Sequence, residues 1–156
     1  MSGRRVVIGV GNAYRGDDAV GLAVAERVRG VVDEDVEVLE CEQEPTRLLD
    51  AWSEADLAVV VDACAAGGAP GSVHRFDVSD GPLPARVFRS STHAFGVGDA
   101  VELSRALRQL PKRIVVYGVE GADFAAGAQL SASVESAVDR VVGAIVRDLE
   151  PGGHDA

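Results

Sequence analysis

Hydrophobic positions along the chain switch between a period near two and a period near 3.6. Arg4–Val10 and Val36–Glu40 read as strands. Leu57–Val61 is an unbroken apolar run, the pattern of a central strand covered on both faces, and Arg113–Val119 is a further β-branched strand. Helical spacing falls between them. Val20, Ala23, Val24 and Val28 share one face, with Gly30 placed to end the helix. Thr46 to Ala55, carrying Leu48, Leu49 and Trp52, reads as a short second helix. Val97, Ala100, Val101, Ser104 and Leu107 form a third, stopped by Pro111. Leu130, Val134, Val138, Val141, Ile145 and Leu149 form the last, with Ser131 or Ser133 as its cap and Pro151-Gly152-Gly153 as its stop. The stretch 65–92 is rich in Gly, Pro and Ser and holds one strand, Ser72–Phe76, expected at a sheet edge. Alternating strands and helices predict an α/β domain over residues 1–150, with a mostly parallel sheet and helices on both faces. Residues 151–156 are expected to be a frayed tail.

Composition narrows the function classes. A chain of 156 residues fits one domain able to bury about 70% of its unfolded surface. No stretch is long and apolar enough for a transmembrane helix, and no signal peptide is expected at the N-terminus. Two cysteines, Cys41 and Cys64, make neither a disulfide framework nor a Cys-only zinc site, so a reducing cytoplasm is the default location. A net charge of −10 argues against nucleic acid, which demands a basic face, and leaves a small molecule or a protein as partner.

Candidate chemistry gathers where strands end. The run Val6-Val7-Ile8-Gly9-Val10-Gly11-Asn12 empties into a turn and then presents Asp17 and Asp18 at a helix start. Asp62 follows Leu57–Val61, and His93 precedes the third helix. Open α/β sheets bind ligands outside the carboxyl ends of their strands. There, Asp18, Asp62 and His93 make a three-ligand set for a borderline divalent cation. Each has a plainer reading when taken singly. Asp17 and Asp18 are also suited to be helix cap and first-turn acid, worth about 1 kcal/mol. Asp62 could cap its loop, and His93 could simply start a helix. Convergence on one sheet edge favours the ligand reading, with Asp17 assigned to the cap and Asp18 to the cleft. His74, within a strand, reads as structural; Cys41 and Cys64 read as small buried hydrophobes; His154 lies in the tail.

Two other chemistries fit less well. Gly9-x-Gly11 after a strand, with Glu40 ending the next, suggests a dinucleotide site. Tyr14, however, occupies the third glycine position, and two aspartates would meet the pyrophosphate with like charge. A P-loop and a Gly-x-Ser-x-Gly nucleophile motif are both absent.

Taken in order, several segments resemble the hydrogenase maturation endopeptidases: Gly9-Val10-Gly11-Asn12, Gly16-Asp17-Asp18 with Gly21, Val60-Val61-Asp62-Ala63 with Gly68 and Pro70-Gly71, Ser91-Thr92-His93, and Gly118-Val119 followed by Leu130-Ser131 and Val134-Glu135. The likeness runs over about residues 4 to 149. It implies a three-layer α/β/α sandwich with a sheet of about five strands. It also implies a peptidase that removes a short C-terminal extension from the large-subunit precursor of a [NiFe] hydrogenase after nickel insertion. The family's metal-contacting, catalytic residues fall on Asp18, Asp62 and His93. Nickel would then arrive with the substrate, with another divalent cation in the isolated protein as the variant. A cytoplasmic monomer is expected. The chain departs from the family in Cys41-Glu42-Gln43-Glu44-Pro45-Thr46, where a glycine-rich loop is usual. That departure keeps open a non-proteolytic relative that binds metal or a partner during hydrogenase assembly. Arg86, Arg89, Ser90 and Ser91 either hold a substrate tail or are solvated loop residues.

Overall fold

A computed structural model describes residues 3–42, 47–65, 67–78, 81, 83 and 96–150. The five strands are β1 (Arg5–Gly11), β2 (Val36–Glu42), β3 (Leu57–Cys64), β4 (Val73–Asp77) and β5 (Arg113–Glu120). The helices are α1 (Val20–Arg29), α2 (Leu48–Ala51), α3 (Val97–Ala106) and α4 (Ala132–Leu149), with a 3-10 turn at Gly16–Ala19 leading into α1. One sheet in the order β2-β1-β3-β5-β4 joins the strands. It is parallel except for the antiparallel edge pair β4–β5.

Period-two alternation on each strand divides the core into two layers. Val7, Val59, Val61, Val115, Tyr117 and Val119 pack beneath α1 and α4, with Val20, Val24, Val138, Val141 and Ile145. Val6, Ile8, Ala58, Val60, Ile114 and Val116 pack on the opposite face against α2 and α3, with Leu48, Trp52, Val97 and Val101. Every residue of β3 is buried, as an apolar strand between two helical layers must be. The architecture is therefore the expected α/β/α sandwich.

Differences from the sequence expectation lie at element ends. Residues 62–64 continue β3, so Asp62 sits within the strand and does not follow it. The pairing of Asp62, Ala63 and Cys64 with Gly118, Val119 and Glu120 explains the extension, since sheet hydrogen bonds hold a polar residue in a strand as readily as an apolar one. The second helix is shorter than predicted. It ends at Ala51 because Trp52 to Glu54 form a turn, with Glu54 at φ 60°. Thr46 itself lies outside the described residues.

Candidate active site

Strand order reverses between β1 and β3: the chain leaves β1 for β2 on one side and pairs β1 with β3 on the other. A crevice opens at such a switch point, outside the carboxyl ends of the two strands. Asp18, just after β1, and Asp62, near the end of β3, both stand there.

Glycines let the backbone close around this point. A Cβ on Gly11 would lie 2.0 Å from the Asp18 carbonyl oxygen, and one on Gly21 would lie 2.3 Å from that of Val10 and 2.4 Å from that of Val61. No side chain fits those gaps. Helix α1 therefore rides directly on β1 and β3 at its first turn and carries Asp18 with it. Tyr14 is 72% exposed, pointing away from this contact. Close helix–strand packing, the task of the third glycine in a dinucleotide fingerprint, is here done by Gly21.

The two neighbouring aspartates have separate jobs. Asp17 is fully buried. Its carboxylate accepts hydrogen bonds from the Ala122 N–H (2.7 Å), the Asp123 N–H (2.9 Å), the Ser131 N–H (2.7 Å) and the Ser131 hydroxyl (2.9 Å). Its own N–H donates to the Asp123 carbonyl at 2.7 Å. Burial pushes its pKa up, but these donors outweigh burial and hold the carboxyl below its ordinary value. Asp17 is thus not the N-cap of α1. That position is Ala19, with no side-chain cap. Instead, Asp17 fastens the first turn to the loop after β5 and to the start of α4, whose N-cap is Ser131.

Asp18 and Asp62 are 5% and 7% exposed. Burial drives the Asp62 pKa well above the usual carboxylate range, and the negative charge of Asp18 drives it further; the Ala63 N–H, donating to Asp62 Oδ1 at 2.8 Å, opposes both. Two carboxylates that each destabilise the other's charge form a site that gains from a proton or a cation between them. The donor set therefore fits a divalent ion. Asp18 stands near enough to Asp62 for its charge to act on the Asp62 carboxyl. His93, Ser90, Ser91, Arg86 and Arg89 lie outside the described residues. The Asp17 anchor escapes sequence reasoning because its partners lie more than a hundred positions away; adjacent acids before a helix give no sign of which one turns inward.

The family model for hydrogenase maturation protease matches residues 22–148. Hydrogenase 2 maturation protease of Escherichia coli K12 is 26% identical over 157 aligned positions, covering 98% of this chain and 94% of that protein. Hydrogenase expression/formation protein HupD of Thiocapsa roseopersicina is 27% identical over 74% of this chain, and the alignment spans 53% of its length. Among solved structures, the [NiFe] hydrogenase maturation protease HycI from Thermococcus kodakarensis is 29% identical. It superposes with a TM-score of 0.75 over 95% of this chain and 93% of its own. The chain belongs to the hydrogenase maturation protease family and is a peptidase.

Proposed function

We propose that the protein removes a short C-terminal extension from the large-subunit precursor of a [NiFe] hydrogenase, and that Asp18, Asp62 and His93 recognise nickel carried by that precursor. The observation that carries this reading is the buried Asp18–Asp62 pair at the switch point, where each charge raises the cost of the other. An incoming cation relieves that cost. Binding is then strongest for a precursor that has already received its metal, which couples cleavage to completed insertion.

Once docked, the scissile bond is held beside the two carboxylates, and positioning alone can supply several kcal/mol of a barrier, up to about 7–11 kcal/mol in well-oriented cases. Water is the attacking group: a carboxylate of the pair takes its proton as the new C–O bond forms and passes a proton to the departing amine nitrogen as the peptide C–N bond breaks. The proposed setting is the reducing cytoplasm, in keeping with two buried cysteines outside any disulfide. Among the described residues no helix is long and apolar enough to cross a membrane.

Incubating purified nickel-loaded precursor with Asp18→Asn, Asp62→Asn and His93→Ala variants tests the assignment. Each is expected to lose at least about a hundredfold in processing rate while keeping the far-ultraviolet dichroism of the parent. Normal processing by Asp62→Asn or His93→Ala would overturn it.

A further inference from the structure

A second constellation of donors lies on the same face of the sheet. Asp62 and Cys64 stand two positions apart on β3, and so share a face. Cys64 is the register partner of Glu120 on β5, and His74 on the antiparallel edge strand β4 is the register partner of Gly118. Cys64, His74 and Glu120 thus meet across three strands. Their sulfur, imidazole nitrogen and carboxylate oxygen all lie within 4.8 Å of one another. The His74 ring Nε2 is already 2.8 Å from Glu120 Oε2. Cys64 and Glu120 are 4% and 1% exposed, whereas the His74 side chain keeps 34% of its surface open and marks an entry route.

The backbone around these donors is fixed. The Gly121 N–H donates to the Cys64 carbonyl at 3.1 Å, the Glu120 N–H to the Ser72 carbonyl at 2.9 Å, and the Gly71 N–H to the Glu120 carbonyl at 2.8 Å. Gly68 closes over the group: a Cβ there would lie 3.3 Å from the Glu120 side chain.

We propose that Cys64, His74 and Glu120 form a second cation site, for a borderline divalent ion of the zinc class, separate from the Asp18–Asp62 pair. One sulfur, one nitrogen and one oxygen match that ion's preference, with a fourth position open to water. A tetrahedral site with bonds of about 2.0–2.3 Å sets its ligand atoms about 3.3–3.8 Å apart, so the 2.8 Å His74–Glu120 contact opens by about 0.5 Å and any edge near the 4.8 Å limit closes by about 1 Å. The thiol gives up its proton on binding. The bound ion ties edge strand β4 and the turn at 67–71 to the ends of β3 and β5. It also places fixed positive charge about 7–10 Å from Asp62, by the spacing of strand residues.

Titration of metal-free protein with cobalt(II) decides the matter without any processing assay. One equivalent should bring up a near-ultraviolet sulfur-to-cobalt charge-transfer band with tetrahedral visible bands, displaced by zinc. Cys64→Ser should abolish the charge-transfer band, His74→Gln should weaken affinity at least about tenfold, and Asp62→Asn should change neither. No band in the parent, a band that survives Cys64→Ser, or one that disappears in Asp62→Asn overturns the proposal. If dichroism shows that Cys64→Ser does not fold, the partly exposed His74→Gln decides, and unchanged cobalt affinity in it counts against the site.

Discussion

Replacing Asp17 by alanine removes the tie between the first turn, the loop after β5 and the start of α4. The side chain is fully buried and accepts four hydrogen bonds, three from backbone N–H groups of Ala122, Asp123 and Ser131 and one from the Ser131 hydroxyl. The hydroxyl can turn elsewhere; the three N–H donors cannot. A buried donor left unsatisfied costs about 1–3 kcal/mol, so with partial rescue by entering water Asp17→Ala should lose about 3–5 kcal/mol. For a chain of this size that lowers Tm by roughly 6–20 °C. Asp17→Asn, which keeps one acceptor oxygen, should lose about half as much. The deficit should also depend on pH. Because the folded-state pKa of Asp17 is lowered, its contribution is fully present above the unfolded value of about 3.9 and disappears as pH falls through the folded value. Parent and Asp17→Ala should therefore differ by a constant amount from neutral pH to about pH 5, and the difference should narrow under stronger acid. Urea denaturation followed by circular dichroism at several pH values measures both. A loss under about 1 kcal/mol at neutral pH, or a deficit that persists unchanged into acid, would refute the anchoring role.

Other perturbations test different parts of the account. Asp62 has the opposite linkage: its raised folded-state pKa means that its ionised form costs stability, and the cost grows as pH rises through that value. Asp62→Asn should accordingly raise Tm at neutral pH while abolishing processing, read by calorimetry and cleavage together; a lowered Tm would contradict the burial argument. Gly21→Ala would drive a methyl group to 2.3 Å from the Val10 carbonyl oxygen and 2.4 Å from that of Val61. A loss of about 3 kcal/mol or more, or failure to fold, is expected in urea denaturation. Trp52, fully buried, donates its indole N–H to the Ser104 hydroxyl at 2.9 Å. Ser104→Ala should cost about 1–3 kcal/mol by the same measurement, and a neutral result would mean that the indole finds another acceptor.

The sheet is largely legible because a parallel sheet covered on both faces must be built from apolar runs, and Val6–Val10, Leu57–Val61 and Arg113–Val119 are such runs. Helices α1, α3 and α4 announce themselves by spacing, and Gly30 and Ser131 mark the ends of α1 and α4, whereas α3 ends at Ala106, before Pro111, in a turn where Arg108 has φ 57°. The end of β3 is not legible: Asp62 interrupts the apolar run, and only its pairing with Gly118 reveals that the strand continues. Asp18 and Asp62 can be matched to the sheet edge because each follows a strong strand signal. Separating Asp17 from Asp18 is beyond local pattern, since the difference is made by Ala122, Asp123 and Ser131 far along the chain. The Cys64–His74–Glu120 group is hidden for a related reason. Its members come from three strands, and sequence alone specifies neither the antiparallel placement of β4 nor its register. His74 looks structural and Cys64 hydrophobic when each is read against its own strand only.

The mass of the processed hydrogenase polypeptide reports the proposed metal-dependent processing directly. Precursor should be prepared in nickel-loaded and nickel-free forms, each incubated with the protein and with its Asp62→Asn variant. Cleavage confined to the nickel-loaded form, and lost in the variant, is the predicted result. Equal cleavage of both forms, or full activity in Asp62→Asn, would contradict it.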